Sequence, residues 1–170
     1  MSSLDIKWTH LTEVLERFAD RFMELARGYL QDNGTNASGE LSQSLDKIIE
    51  IGEDSFSVKI SLADYWTYVE HGRGPGKFPP PPAIRNWIEV KPVQPYPDAR
   101  GRIPTVDQLT FLIGRKIAEE GTEPQPFFEP AKEQAIREFS AAIDQAIEAD
   151  VDEYIEEQVV KMLETWLGRK

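Results

Sequence analysis

The stretch Ile48-Ile49-Glu50-Ile51-Gly52-Glu53-Asp54-Ser55-Phe56-Ser57-Val58-Lys59-Ile60-Ser61-Leu62 decides the fold. Its second half alternates without a break. Phe56, Val58, Ile60 and Leu62 fall on one face and Ser57, Lys59 and Ser61 on the other, the period-two pattern of a half-buried strand. Gly52 to Ser55 is turn chemistry, so the two halves read as a β-hairpin within about residues 46–62. A single hairpin between helical segments makes an α+β fold: a small antiparallel β-sheet packed with long N- and C-terminal amphipathic helices and short middle helices.

Upstream of the hairpin, Leu4, Trp8, Leu11, Leu15, Phe18, Phe22, Leu25 and Tyr29 recur at alternating intervals of four and three. That is one apolar stripe on a long helix over 1–31, with charged residues between the stripe positions. A coiled coil would share this spacing, but packing along the chain's own sheet or last helix is the commoner arrangement. Gln31-Asp32-Asn33-Gly34 ends the helix in loop residues.

Downstream, Ala63 to His71 is aromatic-rich and reads as one or two helical turns closed by Gly72. A Pro/Gly-rich loop over 72–82 follows. Its four prolines, Pro79 to Pro82, lack an amide hydrogen and favour an extended polyproline path. Ala83 to Val90 predicts a short helix with Ile84, Trp87 and Ile88 on one face, and 92–104 is a second irregular loop. Thr105 then N-caps a helix with Asp107 in its first turn and Leu109, Leu112, Ile113, Lys116 and Ile117 as its inner stripe, and Gly121 ends it. Pro130 suits the first position of a last helix over 130–168. Along it Ile136, Phe139, Ile143, Ile147, Val151, Ile155, Val159, Met162 and Trp166 keep helical spacing. The rods thus flank an α+β core over 40–128.

The 170 residues suit a single domain over 1–170, and 40% apolar residues suffice for a core. The net charge of −11 argues against an overall footprint for nucleic acid or an anionic membrane. Between Glu129 and Lys170 eleven acidic side chains oppose five basic ones, so much of that charge lies on the last helix. The absence of cysteine removes disulfide, zinc-thiolate, iron–sulfur and thiol chemistry. Neither a secretory leader nor an apolar run of spanning length is read from the sequence, so a soluble chain is expected, and Asn36-Ala37-Ser38 reads as a polar loop.

Catalytic constellations are sparse. With two histidines, His10 and His71, and no His-Glu-x-x-His, a nitrogen and sulfur metal site has nothing to be built from. Gly72 to Lys77 differs from a phosphate-binding loop: His71 stands at the first glycine, Phe78 replaces the magnesium-holding Ser or Thr, and prolines follow where a helix should open. Asp150-Val151-Asp152-Glu153 lacks the pattern of a calcium loop and reads as solvated helix surface. No catalytic, cofactor-binding or metal residue is therefore expected. The middle third does collect Arg73, Lys77, Arg85, Lys91, Arg100 and Arg102 among Tyr65, Trp66, Tyr68, Phe78 and Trp87, a composition suited to protein contact.

Two passages resemble a known family. Asp64-Tyr65-Trp66-Thr67-Tyr68-Val69-Glu70-His71-Gly72-Arg73-Gly74-Pro75 is similar to the "YA-x-YVE-x-G" segment of minor tail component, or neck, proteins of tailed bacteriophages. Gly121-Thr122-Glu123-Pro124-Gln125-Pro126-Phe127-Phe128-Glu129-Pro130-Ala131 is similar to their later "PFL-x-PA" segment. A Ser38-Gly39-Glu40-Leu41-Ser42-Gln43-Ser44-Leu45 stretch precedes the hairpin in the same order, and the resemblance covers roughly residues 1 to 145. It departs at His71, where the family more often has Phe, in the lengthened proline-rich middle, and in the acidic extension after about Ala149.

The resemblance implies a non-enzymatic virion component of the neck or tail, a ring of identical subunits in the head-to-tail connection. Its partners would be copies of itself and other neck, portal-adaptor or tail proteins around the DNA channel, with no cofactor, no sequence-specific nucleic acid and no membrane. It would reside in the virion and, during assembly, in the host cytoplasm. The residues expected at the subunit or partner interface are Tyr65, Trp66, Tyr68, Glu70, His71, Arg73, Lys77, Phe78, Phe127 and Phe128. The rival expectation is a cytoplasmic adaptor that captures a protein through the aromatic Pro/Gly-rich loop 65–82.

Overall fold

The computed structural model describes residues 5–34, 38–52, 55–91, 93, 95–97 and 99–168. Among them lie six α-helices and a two-stranded antiparallel sheet, an α+β fold with long terminal helices. In chain order the elements are α1 (Thr9–Asp32), α2 (Glu40–Gln43), β1 (Asp46–Ile51), β2 (Phe56–Ser61), α3 (Trp66–His71), α4 (Pro81–Val90), α5 (Val106–Glu120) and α6 (Phe128–Leu167). The expected contributions of Leu4, of Asn36 and Ala37, and of Glu53 and Asp54 in the hairpin turn lie outside the described residues, as do Pro92, Gln94 and Asp98 of the second loop. None of the described helices is long and apolar enough to cross a membrane.

The chain divides into two compact units. The first comprises Met1–Leu25, Asp46–Ser61 and Pro130–Lys170. Here Asp46 pairs with Ser61 and Ile51 with Phe56 in one uninterrupted antiparallel register. Leu11, Leu15 and Ala146 form a buried nucleus, and Ile49, Val58, Ile143 and Ile147 pack on it, so the hairpin and both rods share one core. The alternation is only partly realised. Val58 and Ile60 are half-buried, but Phe56, at the turn end of the ladder, is 47% exposed. The rods run antiparallel: His10 meets Asp150, the Phe18 ring stands edge-on to Phe139 at 6.0 Å, and Arg21 forks onto Glu138 at 2.8 and 3.3 Å. Arg21 and a bond from Gln134 hold the Glu138 carboxyl below its usual range.

Two expectations for α6 are corrected here. Its buried positions are Ala131, Ala135, Ala146 and Asp150 rather than the large apolar residues, and Ile136 is 49% exposed. Small side chains let two helix backbones approach closely, and the larger ones then flank the seam. Asp150, read from the sequence as solvated surface, is 1% exposed. Its Oδ1 accepts the His10 amide at 2.9 Å and the His10 Nδ1 at 2.8 Å, and its Oδ2 accepts the Leu11 amide at 2.9 Å. Trp8, which precedes α1, offers no acceptor side chain. The carboxylate of α6 therefore caps α1 from far along the chain.

The second unit comprises Ala26–Leu45 and Leu62–Glu129. α5 begins as expected, with a capping box in which Thr105 accepts from the Gln108 amide while the Gln108 side chain accepts from Thr105. Gly121 follows its last residue, but the expected inner stripe is corrected: Leu112 and Lys116 are exposed, and the buried positions are Thr110 and Gly114. The proline run is corrected: Pro81 and Pro82 form the first turn of α4 instead of continuing an extended path, because a first-turn residue has no intrahelical use for its amide hydrogen. Pro130, expected at the first position, sits two positions inside the helix, since α6 already opens at Phe128.

Burial alone would raise the Asp150 carboxyl, but the Leu11 and His10 amides and the His10 ring outweigh it and hold it below the ordinary 3.8. The bond to Asp150, with Glu153 nearby, raises His10 above 6.5. A depressed carboxyl stabilises the fold above its unfolded pKa and loses that stabilisation as pH falls through the folded value. A raised imidazole stabilises below its unfolded pKa and loses it as pH rises through the folded value. Urea unfolding of the full chain should therefore show a stability plateau between about pH 4 and 6.5 with a decline on either side. Asp150→Ala should cost about 2–3 kcal/mol and flatten both contributions, whereas His10→Ala should remove the alkaline one and only reduce the acidic one, because the Leu11 and His10 amides still bond Asp150.

Candidate functional site

The sequence-expected interface residues lie in the second unit, and the structure sorts them into two groups. The larger group is packing. α3 ends at Gly72, whose φ of 69° belongs to the glycine region and where a Cβ would stand 2.4 Å from the Thr122 carbonyl oxygen. Directly after it, Arg73 and Thr122 exchange backbone hydrogen bonds at 2.9 and 2.8 Å. Gly121 has φ 83°, and a Cβ there would lie 2.0 Å from the Arg73 carbonyl oxygen. Two glycines therefore let the two chain segments touch at the backbone. The Gln125 amide adds a bond to Val69 at 2.8 Å.

At the centre of this junction is Glu70, 3% exposed. Its Oε2 accepts the amides of Phe127 at 2.7 Å and Phe128 at 2.8 Å, and its Oε1 accepts that of Glu129 at 3.0 Å. These amides open α6, so Glu70 does for that helix what Asp150 does for α1. Phe127 is fully buried, and Trp66 lies against Phe128 with ring centroids 4.9 Å apart. The two passages that resemble the neck family are thus one interaction: the first supplies the cap and the second the helix start. The earlier Ser-Gly stretch is also structural, because Leu41 and Leu45 are buried and Ser44 Oγ accepts the Ala63 amide at 3.0 Å.

The expectation that Glu70 and Phe127 offer interface surface is corrected by this geometry: a carboxylate with three amide donors and a ring with no exposed area have nothing to give a partner. Trp66, Phe128 and Arg73 are half-buried. The Arg73 guanidinium donates to the Lys77 carbonyl and shapes the loop. Phe78 belongs to both groups: it is 40% exposed, and one side of its ring stacks on Phe111 at 6.0 Å over Gly114, where a Cβ would meet the ring.

The smaller group faces solvent. Tyr65 and Tyr68 are 38% and 61% exposed and line a cavity of about 740 Å³ with Trp87, Val90 and Lys91 of the α4 end and Glu123. Burial, then Glu40, raises the Tyr65 phenol. Lys91 donates to the Gly34 carbonyl at 2.8 Å and lies 5.6 Å over the Trp87 ring, which fixes one wall. Aromatic faces with a few polar ends suit an extended peptide or a neighbouring loop. His71 and Lys77 are exposed, and the His71 ring is tilted against Trp66 at 6.5 Å.

In the first unit, His10, Asp150 and Glu153 bring one ligand atom each within 4.8 Å of one another, a grouping that the search for nitrogen and sulfur ligands did not anticipate. Both Asp150 oxygens are taken by N–H donors. The buried carboxylate orients the imidazole, whose Nε2 faces Glu153 at 3.9 Å. Such an orientation serves general bases when the far nitrogen meets a hydroxyl or thiol, and here it meets a second carboxylate.

Glu70→Ala leaves three amides at a buried helix start without acceptors and should lower stability by about 2–4 kcal/mol in urea titration. Glu70→Gln keeps an oxygen that serves two of the three and should cost less than half as much. Gly121→Ala forces a side chain into a glycine-only region against a carbonyl and should cost at least about 1–3 kcal/mol by the same measurement. No protein-family model, curated protein or solved structure matches the chain, so the residues and their geometry carry the functional reading.

Proposed function

We propose that the chain is a non-enzymatic structural protein of a tailed-phage virion, a ring-forming neck or tail component that joins head and tail by protein contacts around the DNA channel. The observation that carries this reading is the exposed apolar surface. Every residue from Ile155 to Leu167 of α6 is exposed, and this segment includes Val159, Val160, Met162, Leu163 and Trp166. On α5 and the loop before it Tyr96, Ile103, Phe111 and Leu112 are exposed as well. Patches of this kind are what a subunit keeps for burial on its neighbours. The resemblance of the Asp64–Pro75 and Gly121–Ala131 passages to neck proteins supplies the kind of assembly.

A second reading, a cytoplasmic adaptor, draws support from the aromatic groove of Tyr65, Tyr68 and Trp87, which suits a peptide partner. Induction of the phage from its host, followed by gradient purification of particles and quantitative peptide mass spectrometry, separates the two. The virion reading expects this chain in particles at a fixed multiple of copies alongside portal and tail proteins, with antibody label at the head-to-tail junction. A chain abundant in the lysate and absent from the particles overturns it.

A further inference from the structure

We propose that His10 and Glu153 form a binding site for a borderline divalent metal ion of the Zn²⁺ class, with the buried Asp150 as the positioning residue behind the imidazole. The site lies within the first unit and ties the start of α1 to α6. It stands apart from the virion reading and does not depend on it.

Asp150 decides where the imidazole keeps its proton. Its carboxylate accepts three times, from the His10 amide at 2.9 Å, the His10 Nδ1 at 2.8 Å and the Leu11 amide at 2.9 Å. An ionised carboxylate can only accept, so the hydrogen shared with the ring belongs to Nδ1, and the lone pair of the neutral ring sits on Nε2. That nitrogen faces Glu153 Oε1 at 3.9 Å. Two acceptor atoms thus point at one another across a gap that only a cation reconciles, either a second proton on the ring or a metal ion.

The gap has nearly the dimensions a metal needs. Zn–N bonds of ~2.0–2.1 Å and Zn–O bonds of ~2.0–2.2 Å at a tetrahedral angle hold their two ligand atoms about 3.4 Å apart. Closing to that separation from 3.9 Å takes a small torsion of Glu153, an exposed side chain whose one ion pair among the described residues is with this ring. Asp150 and Glu153 stand three residues apart on α6, so both carboxylates leave the helix on one face. Charge favours a cation as well: the charges that act on the imidazole come from Glu153, Asp150 and Glu13, all of them acidic. A carboxylate bonded to the far ring nitrogen is the arrangement that orients metal-binding histidines and strengthens them as ligands. One imidazole and one carboxylate suit Zn²⁺ better than Mg²⁺, which takes oxygen ligands and gives up its water reluctantly. Water completes the shell, and the ion's effect is to clamp two helices.

The full-length chain has two histidines, so long-range proton–nitrogen correlation spectra at about pH 7.5 show two rings, and His10→Gln assigns them. Added Zn²⁺ should move the His10 Nε2 resonance and leave that of His71 in place. Calorimetric titration should give about one Zn²⁺ per chain. Glu153→Gln, an exposed change that leaves the α1 cap intact, should weaken binding roughly 10-fold or more, and His10→Gln should abolish it. Zn²⁺ should also raise the urea midpoint of the wild type but not that of His10→Gln, and Mg²⁺ at the same concentration should do none of this. Circular dichroism checks that each variant folds; were His10→Gln unfolded, Glu153→Gln and the wild-type His10 resonance decide. A wild type with no response to Zn²⁺ up to roughly 300 µM overturns the site. So does binding that leaves the His10 ring unmoved, that survives Glu153→Gln, or that Mg²⁺ reproduces, each of which marks diffuse association with an acidic surface. A His10 Nε2 that stays protonated in the presence of Zn²⁺ overturns it too, since the pair is then an ion pair and nothing more.

Discussion

Each long helix of this protein starts on a buried carboxylate that comes from elsewhere in the chain. α6 opens at Phe128 behind Phe127, and a phenylalanine cannot accept a hydrogen bond, so the first amides depend on Glu70. α1 opens behind Trp8 and depends on Asp150. An isolated carboxylate in a protein interior costs several kcal/mol. Two or three amide donors at the positive end of a helix offset that cost, and they do so only when the distant segment has arrived. The caps thereby make helix formation conditional on tertiary pairing. Each compact unit holds one of them.

The same dependence explains what the sequence did and did not disclose. The hairpin, the Thr105 N-cap and the two rods were legible because each rests on local periodicity or on residue types at a helix end, although the first rod begins at Thr9 and not at the start of the expected 1–31 span. Glu70 and Asp150 were not, since nothing in Tyr-Val-Glu-His or Ala-Asp-Val-Asp distinguishes a buried acceptor from a solvated charge. The choice is made by a partner 57 residues away for Glu70 and 139 for Asp150. The alanine seam of α6 was hidden for a related reason: hydrophobic patterning weights large residues, whereas the closest approach of two helices selects small ones. Even Phe56, which fits the strand pattern best, is half-exposed, because a two-stranded sheet does not cover the turn end of its own face.

The candidate interface divides along the same line. Glu70, Phe127 and the glycine pair were conspicuous in the sequence because the junction between the two passages tolerates few alternatives, and that is a constraint of folding. Tyr65, Tyr68, His71 and Lys77 stand on the outer side of the same segment and remain available to a partner. A stretch that stands out in the sequence can thus record how the chain folds, while the side chains beside it stay on the surface.

α6 carries the division within one helix. As far as Asp150 its buried positions are alanines and the capping aspartate, which suit close contact inside the subunit. Beyond Ile155 nothing is buried, and the stripe changes to Val, Met, Leu and Trp, side chains that reach outward and need depth in whatever receives them. Substitutions of the apolar residues beyond Ile155 should therefore leave the fold intact, because the interaction that starts α1 sits a full helical turn earlier.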